Sequence, residues 1–191
     1  VSARSPGVGE AGITSRFAQN IAVIGTNVRH MQGAVGWLAR THGATWIGGE
    51  HIGRPDDYAD AVVEGDNAGF TGIWAYESAA VNFESIRGRR LRHLIDGARS
   101  SNVVVAGCQA TDCHRAPFTT HTGCNEWTWA HNYSTSDNGG LLWRSFNFTV
   151  IGGVYDCPND SEPAIYDTAG TDADLPRTIK LIGVKAVANR A

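Results

Sequence analysis

The sequence predicts an all-β fold, a parallel β-helix (solenoid) of about six to seven rungs. Two observations carry this prediction. A short phrase recurs along the chain with a period of ~22 residues, and apolar and variable residues alternate within each copy of it. Strands this short cannot pair within one circuit, so each is expected to pair with its counterpart in the next circuit.

The recurring phrase is a polar residue, then apolar residues around a variable one, and usually a glycine. It first reads NIAVIGTNV from Asn20, and the last of its seven copies reads TIKLIGVKA from Thr178. The alternation and the β-branched and aromatic residues are typical of strands. The first apolar residue of each copy is the anchor by which rungs are aligned, and the anchors are Ile21, Ala44, Phe83, Val103, Trp127, Phe148 and Ile179.

A second apolar phrase precedes most of these anchors. It reads GWLARTHGA from Gly36, LIDGARSSNV from Leu94 and GLLWRSFNF from Gly140. The related stretches GIWAYES from Gly72 and FTTHTGC from Phe118 lie in similar places. Each rung is therefore expected to contain at least two short strands separated by turns.

The domain organisation follows from the repeat. Residues 1–14 are interpreted as a linker or N-terminal extension, and residues 15–191 as the β-helix domain, a fragment of a longer chain or assembly. The longest interval between anchors contains RPDDYADAVVEGDNAGF, from Arg54 to Phe70, which predicts a surface loop insertion near 51–70. We expect neighbouring segments or partner chains to cover the open ends of the solenoid.

Composition excludes several classes of protein. A net charge of -3 gives no basic face for nucleic acid. No apolar run approaches the ~20 residues of a membrane span. The first residues lack the charged start and apolar core of a secretion signal, so the four cysteines are expected to be free thiols.

The repeat phrases carry a resemblance to a known family. GLLWRSFNFTVIGGVYD, with HRAPFTTHTGCNEWTWAHN before it, resembles the right-handed β-helix domains of bacteriophage tail spikes and appendage proteins, which have the pectate-lyase-like fold. The resemblance implies a right-handed solenoid, a homotrimer or a complex with other virion tail proteins, and a location on the virion tail or outside the cell. It also implies recognition of a bacterial surface polysaccharide, and it leaves degradation of that polysaccharide open.

Two other functions remain open beside this one. The first alternative is a glycan hydrolase or lyase, of which a hydrolase is preferred. The second is a purely structural solenoid of a virion or surface assembly. The resemblance maps no catalytic signature onto these residues, and a fold alone does not define a function.

One polar column is predicted four residues before the anchors. Arg40, Arg99 and Arg144 fall at this position, with Glu77 and His121 nearly in register between them. Such a column forms either an outward ladder of ion pairs or a charged strip that binds acidic sugars, since a guanidinium binds carboxylates through two hydrogen bonds. We take Arg99, His121 and Arg144 as candidate substrate-binding residues.

A second polar cluster lies nine to eleven residues after the anchors. It contains His93, Asp112, His114 and Asp137. Carboxylates in one column on adjacent rungs would lie near the ~5 Å separation of a retaining glycosidase, so Asp112 and Asp137 with His114 are the candidate catalytic residues. The alternative is that ATDC and TSDNGG simply form turns.

Aromatic residues complete the candidate site. Trp127 and Trp129 share one face of a strand and are expected in the core, whereas Trp143 and Tyr76 are expected to be exposed and to stack on a sugar ring. The stretch CHRAPFTTHTGC, from Cys113 to Cys124, has the residue types of a zinc site. Its histidines are separated by an extended run, so we expect neither a metal ion nor another cofactor.

Overall fold

The computed structural model describes residues 12–29, 34–53, 71–136, 139–158, 163–167 and 178–188. Within these ranges the regular elements are all β-strands, and they form a parallel β-solenoid of about five turns. The predicted all-β parallel solenoid is therefore confirmed, with slightly fewer turns than the six to seven expected. In the described part of the chain no helix could span a membrane.

One face of the solenoid is a sheet of seven parallel strands, here called sheet A. Its strands come from the second phrase of the repeat, as the sequence predicts. In stacking order they are β1 (Ile13–Arg16), β3 (Gly36–Ala39), β5 (Thr71–Tyr76), β8 (His93–Ala98), β11 (Phe118–Thr120), β14 (Leu141–Trp143) and β17 (Ile165–Asp167).

The remaining strands form a 12-stranded sheet, sheet B, which contains two rows. The middle row carries the anchors and comprises β2 (Gln19–Arg29), β4 (His42–Ile52), β6 (Ala79–Glu84), β9 (Ser101–Ala106), β12 (Cys124–Ala130), β15 (Ser145–Ile151) and β18 (Ile179–Ile182). The third row comprises β7 (Arg87–Arg89), β10 (Gln109–Cys113), β13 (Tyr133–Ser136), β16 (Val154–Cys157) and β19 (Lys185–Ala188). The C-terminal half of β4 joins the third row by pairing with β7.

The register of the middle row confirms six of the seven predicted anchors. Ile21 pairs with Ala44, and Val103 pairs with Trp127 on the next turn. The anchor Phe83 was wrong: its place is taken by Val81, which pairs with both Ala44 and Val103. A shift of two residues keeps the same side chains on the inner face, so alternation alone does not distinguish the two registers.

Large apolar side chains from both sheets fill the interior. Trp46, Trp127, Trp129 and Phe118 are essentially fully buried. The rings of Trp127 and Trp129 stack with centroids 5.2 Å apart, so the expectation that they fill the core is confirmed. This packing supplies the main driving force for folding, because apolar burial contributes ~25 cal/mol per Å².

The corners between the rows are formed by residues in the left-handed backbone region. The turn from sheet A to the middle row has φ values of 53° at Phe17, 52° at Arg40, 49° at Glu77 and 51° at Arg99. Gly107, with a φ of 61°, forms the next corner and explains the glycine that follows the apolar residues of the repeat. These corner residues stack turn upon turn and project their side chains outward in columns.

Hydroxyl groups satisfy the backbone inside the first corner. The backbone N–H of Thr41 donates to the Ser78 Oγ at 3.1 Å, and the N–H of Ser78 donates to the Ser100 Oγ at 3.2 Å. Each serine hydroxyl in turn donates to a carbonyl, that of Leu38 for Ser78 and that of Ala75 for Ser100. The buried ladder holds successive corners in register, and this fixes the positions of the outward side chains.

Candidate functional site

The outer side of sheet A carries an aromatic cluster that is separate from the main core. Trp37 of β3 and Trp74 of β5 are register partners, and their rings stack at 5.8 Å with planes 16° apart. Tyr76 packs edge-on against Trp74 at 6.2 Å, and the Arg16 guanidinium lies 5.3 Å from the Trp37 ring. Stacked rings flanked by a guanidinium form a surface that suits planar or ring-shaped ligands.

Four polar or aromatic residues lie in register on successive strands of this outer side, and three of them carry a polar atom that makes no hydrogen bond. Trp37, Trp74, Asp96 and Thr119 pair in register along four successive strands, and we call them the outer column. The Trp37 Nε1, Trp74 Nε1 and Thr119 Oγ1 atoms are buried without a hydrogen-bond partner in the described structure, whereas the Asp96 Oδ1 has the His121 Nε2 3.2 Å away. Native proteins leave few such atoms unpaired, and each costs about 1–3 kcal/mol. The column therefore has unused capacity to bind a ligand.

Asp96 connects the outer column to two basic side chains on later turns. The His121 Nε2 lies 3.2 Å from the Asp96 Oδ1, and the Arg144 Nη1 lies 3.1 Å from the His121 Nδ1. An arginine only donates, so the His121 Nδ1 accepts and its Nε2 carries the proton that faces Asp96. These two contacts, from Asp96 to His121 and from His121 to Arg144, help to orient the Arg144 guanidinium.

The electrostatics of this region keep Asp96 ionised. Burial by itself would raise the pKa of Asp96, but the neighbouring basic side chains, chiefly His121, outweigh burial and lower it below its usual value. His93, on the same strand, is kept neutral instead, because burial lowers its pKa to about 4. The His93 Nδ1 donates to the Ala116 carbonyl at 2.6 Å, so His93 is a neutral, anchored core histidine.

A charged ridge borders the aromatic face along the first corner. Its members are Phe17, Arg40, Glu77 and Arg99 on consecutive turns, followed by Gly123. The Arg40 Nε lies 2.6 Å from the Glu77 Oε2, and the Arg99 Nη1 lies 3.2 Å from the Glu77 Oε1. The hydrogen bond from Arg40 is the main cause that lowers the pKa of Glu77. The ridge is therefore an alternating ladder of charges.

A cavity connects the ridge to the aromatic face. It has a volume of about 150 Å³ and is lined by Arg16, Phe17, Trp37, Ala39, Arg40 and Tyr76. Phe17 is 72% exposed beneath the Arg40 guanidinium, whose carbon lies 5.2 Å from the ring centroid. The aromatic face is thus accessible from the side of the ridge.

The structure brings most of the predicted substrate-binding residues to this region. The Arg99 Nη1 donates to the Tyr76 Oη at 3.3 Å, so these two residues lie together at the edge of the aromatic face. His121 and Arg144 contact each other through the His121 Nδ1 and the Arg144 Nη1. The predicted column of Arg40, Glu77 and Arg99 is confirmed as a stack of ion pairs. Whether these residues bind a substrate stays a prediction.

The expected exposure of Trp143 was wrong. Trp143 is only 5% exposed, and its ring packs on Phe148 at 5.1 Å. It lies two residues after Leu141 on β14, so both side chains point to the interior, and Leu142 between them takes the outer position. Trp143 is therefore a core residue.

The predicted catalytic residues divide between described and undescribed parts of the chain. The Asp112 side chain is about half exposed, and its Oδ2 accepts a hydrogen bond from the Arg89 Nε at 2.9 Å. Asp112 lies within β10, at an irregularity of the β10–β13 register and with a φ of 52°, so the ATDC stretch is an irregular strand and not the turn of the alternative. His114 is buried, and Asp137 lies outside the described residues. The proposed carboxylate pair stays a prediction.

The cysteines of CHRAPFTTHTGC are core residues. Cys113 and Cys124 are buried free thiols, and burial raises the pKa of each to about 12. Among the described residues no three His, Cys, Asp or Glu side chains are grouped so that they would hold a metal ion. The two histidines of the stretch have separate environments, since His121 contacts Asp96 whereas His114 is buried after β10.

The outer column was missed in the sequence. Its signal is the middle residue of three related strands: Trp37 in GWLA, Trp74 in GIWAY and Asp96 in LIDGA. When these phrases are aligned with one another, the three residues fall in one column. Gly123, which occupies the ridge position after Arg99, would have been found in the same way.

Comparison with known proteins finds no matching family model, no matching curated protein and no matching solved structure. The parallel solenoid and its outer face therefore carry the functional argument by themselves.

Proposed function

We propose that this chain recognises a bacterial surface polysaccharide through the outer side of sheet A, as part of a phage-type tail spike or fibre. The observation that carries the proposal is the outer column, whose unpaired polar atoms lie next to the stacked rings of Trp37 and Trp74. Sugars present ring faces that pack on aromatic side chains and hydroxyls that both donate and accept hydrogen bonds. The parallel solenoid is compatible with this role.

The arrangement matches an elongated ligand better than a compact one. The members of the outer column lie on successive turns, and neighbouring parallel strands are ~4.8 Å apart. A ligand that uses several members must therefore run along the solenoid axis. A polysaccharide does so, and it gains affinity from each repeated contact.

The virion location and the homotrimer belong to the same proposal. Both come from the resemblance of the repeat phrases to tail spike β-helices. Catalysis has weaker support, because Asp112 is engaged by Arg89 and its predicted partner lies outside the described residues. We therefore propose binding and make no proposal of cleavage.

The proposal is tested by measuring binding of the chain to a panel of purified capsular and O-antigen polysaccharides by biolayer interferometry. One or more should bind, and Trp74→Ala should weaken that binding by about tenfold or more. Tyr133→Ala is the matched control, since Tyr133 is an exposed aromatic residue on the third row. Equal weakening by both variants, or no binding to any member of the panel, would overturn the proposal.

A further inference from the structure

Two arginines that line the cavity between the ridge and the aromatic face are held over aromatic rings. The Arg16 guanidinium carbon lies 5.3 Å from the centroid of the Trp37 ring, and that of Arg40 lies 5.2 Å from the centroid of the Phe17 ring. All four residues line the cavity. Arg16 pairs with Ala39, which precedes Arg40, so the two arginines border the same space from adjacent turns.

These ring contacts leave hydrogen-bond donors of both arginines available to a ligand. A ring contacts the face of a guanidinium, whereas the N–H donors lie in the plane of the group. Among the described contacts, the Arg16 side chain makes the contact with Trp37 and no ion pair. Arg40 donates from its Nε to the Glu77 Oε2 at 2.6 Å, and its terminal Nη groups make no described hydrogen bond.

The cavity lies in a region with an excess of positive charge. Arg16 and Arg40 line it. Arg99 lies beside it and donates from its Nη1 to the Oη of the lining residue Tyr76 at 3.3 Å. Among the described residues, Glu77 is the carboxylate that contacts Arg40 and Arg99, and it neutralises only one positive charge. The whole chain has a net charge of -3, so this excess is local and favours an anionic ligand.

The size and the remaining lining of the cavity fit one sugar unit. Its volume of about 150 Å³ is smaller than the ~300–1,000 Å³ of sites for drug-sized ligands, so it does not hold an oligosaccharide. Phe17 is 72% exposed and offers an aromatic surface to the apolar face of a pyranose ring. A single sugar unit with a negative charge matches both the size and the charge of the cavity.

We propose that this cavity, between Arg16 and Arg40, binds one carboxylated sugar unit such as a uronic acid. The carboxylate accepts hydrogen bonds from the two guanidinium groups, and the sugar ring packs against Phe17. This inference rests on the proposed function and adds a substrate class to it, namely acidic polysaccharides. Neighbouring sugar units of the same ligand run from the cavity along the outer column.

The first test is an NMR titration of the full chain with D-glucuronate, with D-glucose as the neutral control. The side-chain Nε–Hε resonances of Arg16 and Arg40 are followed. Glucuronate should shift both resonances in a saturable way, and glucose should leave them unchanged. Acetate has a carboxylate but no ring, and it should bind about tenfold more weakly than glucuronate. Unchanged resonances with glucuronate, or equal affinities for acetate and glucuronate, would overturn the proposal.

The second test replaces a guanidinium. Arg16→Gln should weaken glucuronate binding by about tenfold, because charge-assisted hydrogen bonds to the carboxylate are lost. Arg29→Gln is the matched control, since Arg29 is an exposed arginine at the far end of β2, where it pairs with Glu50 at 3.2 Å. It should leave the affinity unchanged. Equal weakening by the two variants would contradict a site at Arg16.

The third test separates charge from ring contact at Phe17. Phe17 is exposed and has a φ of 53°, close to the 49° of Glu77, so this backbone accepts a glutamate. Phe17→Glu should abolish the glucuronate response, because its carboxylate would compete for Arg40 as Glu77 does from the next turn. Phe17→Gln removes the ring without adding charge and should weaken binding only about tenfold. Identical losses in the two variants would show that charge does not determine binding here.

The outcomes separate this proposal from the proposed function. If a polysaccharide binds in a Trp74-dependent way but its carboxyl-reduced form binds equally well, the carboxylate site fails and the proposed function stands. If glucuronate binds in an Arg16-dependent way while no polysaccharide binds, the site stands and the proposed function fails.

Discussion

Trp37 and Trp74 occupy the same position on successive strands of sheet A, and their rings stack on the outer side of the solenoid. This relationship distinguishes the outer side of sheet A from the other outer surfaces of the described structure. Large aromatic residues normally pack in the interior of a solenoid, as Trp127 and Trp129 do here. Two stacked tryptophans outside the core, beside unpaired polar atoms, indicate a surface built for contact with a ligand.

The first prediction concerns the core. Trp127→Ala should lower the free energy of unfolding by about 3–5 kcal/mol, because Trp127 is fully buried and its removal leaves a large cavity. It also removes the hydrogen bond from the Trp127 Nε1 to the Ser100 carbonyl. Urea denaturation measures the change. Tyr133→Ala, on the surface, should change the same quantity by less than about 0.5 kcal/mol, and a comparable loss in both would contradict the proposed packing.

The second prediction concerns a close approach between a strand of sheet A and the core. A Cβ at Gly97 would lie 2.3 Å from the Trp127 Cζ2, so Gly97→Ala should destabilise the fold by about 1–3 kcal/mol. Trp127→Phe has a smaller ring that leaves room for the added methyl. The double variant should therefore lose less stability than the sum of the single variants, and strict additivity in this cycle would contradict the contact.

The third prediction concerns pH. Burial lowers the pKa of both His51 and His93 from 6.5 to about 4. Between pH 6.5 and 4 these histidines bind protons in the unfolded chain but not in the folded chain. Their contribution to the free energy of unfolding is therefore fully present above pH 6.5 and is lost as the pH falls towards 4. Each histidine should account for about 3 kcal/mol of the loss at the acid end.

Unfolding free energies measured by urea denaturation across this pH range test the prediction. His51→Gln should flatten the pH dependence, because it removes one of the two buried titrating groups. Asp96, Arg92 and His121 are the charged or titratable groups that act on His93, and Asp96 favours its protonated form. A stability that is flat between pH 7 and 4.5 would contradict the buried, neutral state of both histidines.

The fourth prediction concerns the ridge. Glu77→Gln removes the charge that lies between Arg40 and Arg99, and it should lower the melting temperature slightly at low salt. The difference from wild type should vanish at about 1 M NaCl, where charges are screened beyond ~3 Å. Differential scanning calorimetry at the two salt concentrations measures the effect. A salt-independent difference would show that Glu77 stabilises the fold by packing and not by charge.

The repeat made the fold predictable, because stacked turns impose the same pattern on each circuit. The sequence was less informative about the register between strands and about which side chains point into the core. Phe83 was predicted as an anchor in place of Val81 because a shift of two residues leaves the same side chains on the inner face. Trp143 was expected outside because the inward position of its strand is not evident from three apolar residues in a row, LLW. The polar ridge was predictable because charged residues at a corner have only one outward direction.

The outer column depends on a register that spans three different strands. Trp37, Trp74 and Asp96 become neighbours only when β3, β5 and β8 are stacked, and the long insertion between β4 and β5 hides the period there. Unpaired hydrogen-bonding atoms are a property of the packed structure and leave no mark in composition. For this reason the candidate site could be only partly predicted from the sequence.

Hydrogen–deuterium exchange with and without a bound polysaccharide tests the central claim most directly, because it locates the ligand on the solenoid. The account predicts that binding slows exchange in β3, β5 and β8 of sheet A and in the adjoining ridge from Arg99 to Gly123. Exchange in β7, β10 and β13 of the third row should remain unchanged. Protection confined to the third row, with sheet A unaffected, would contradict the account.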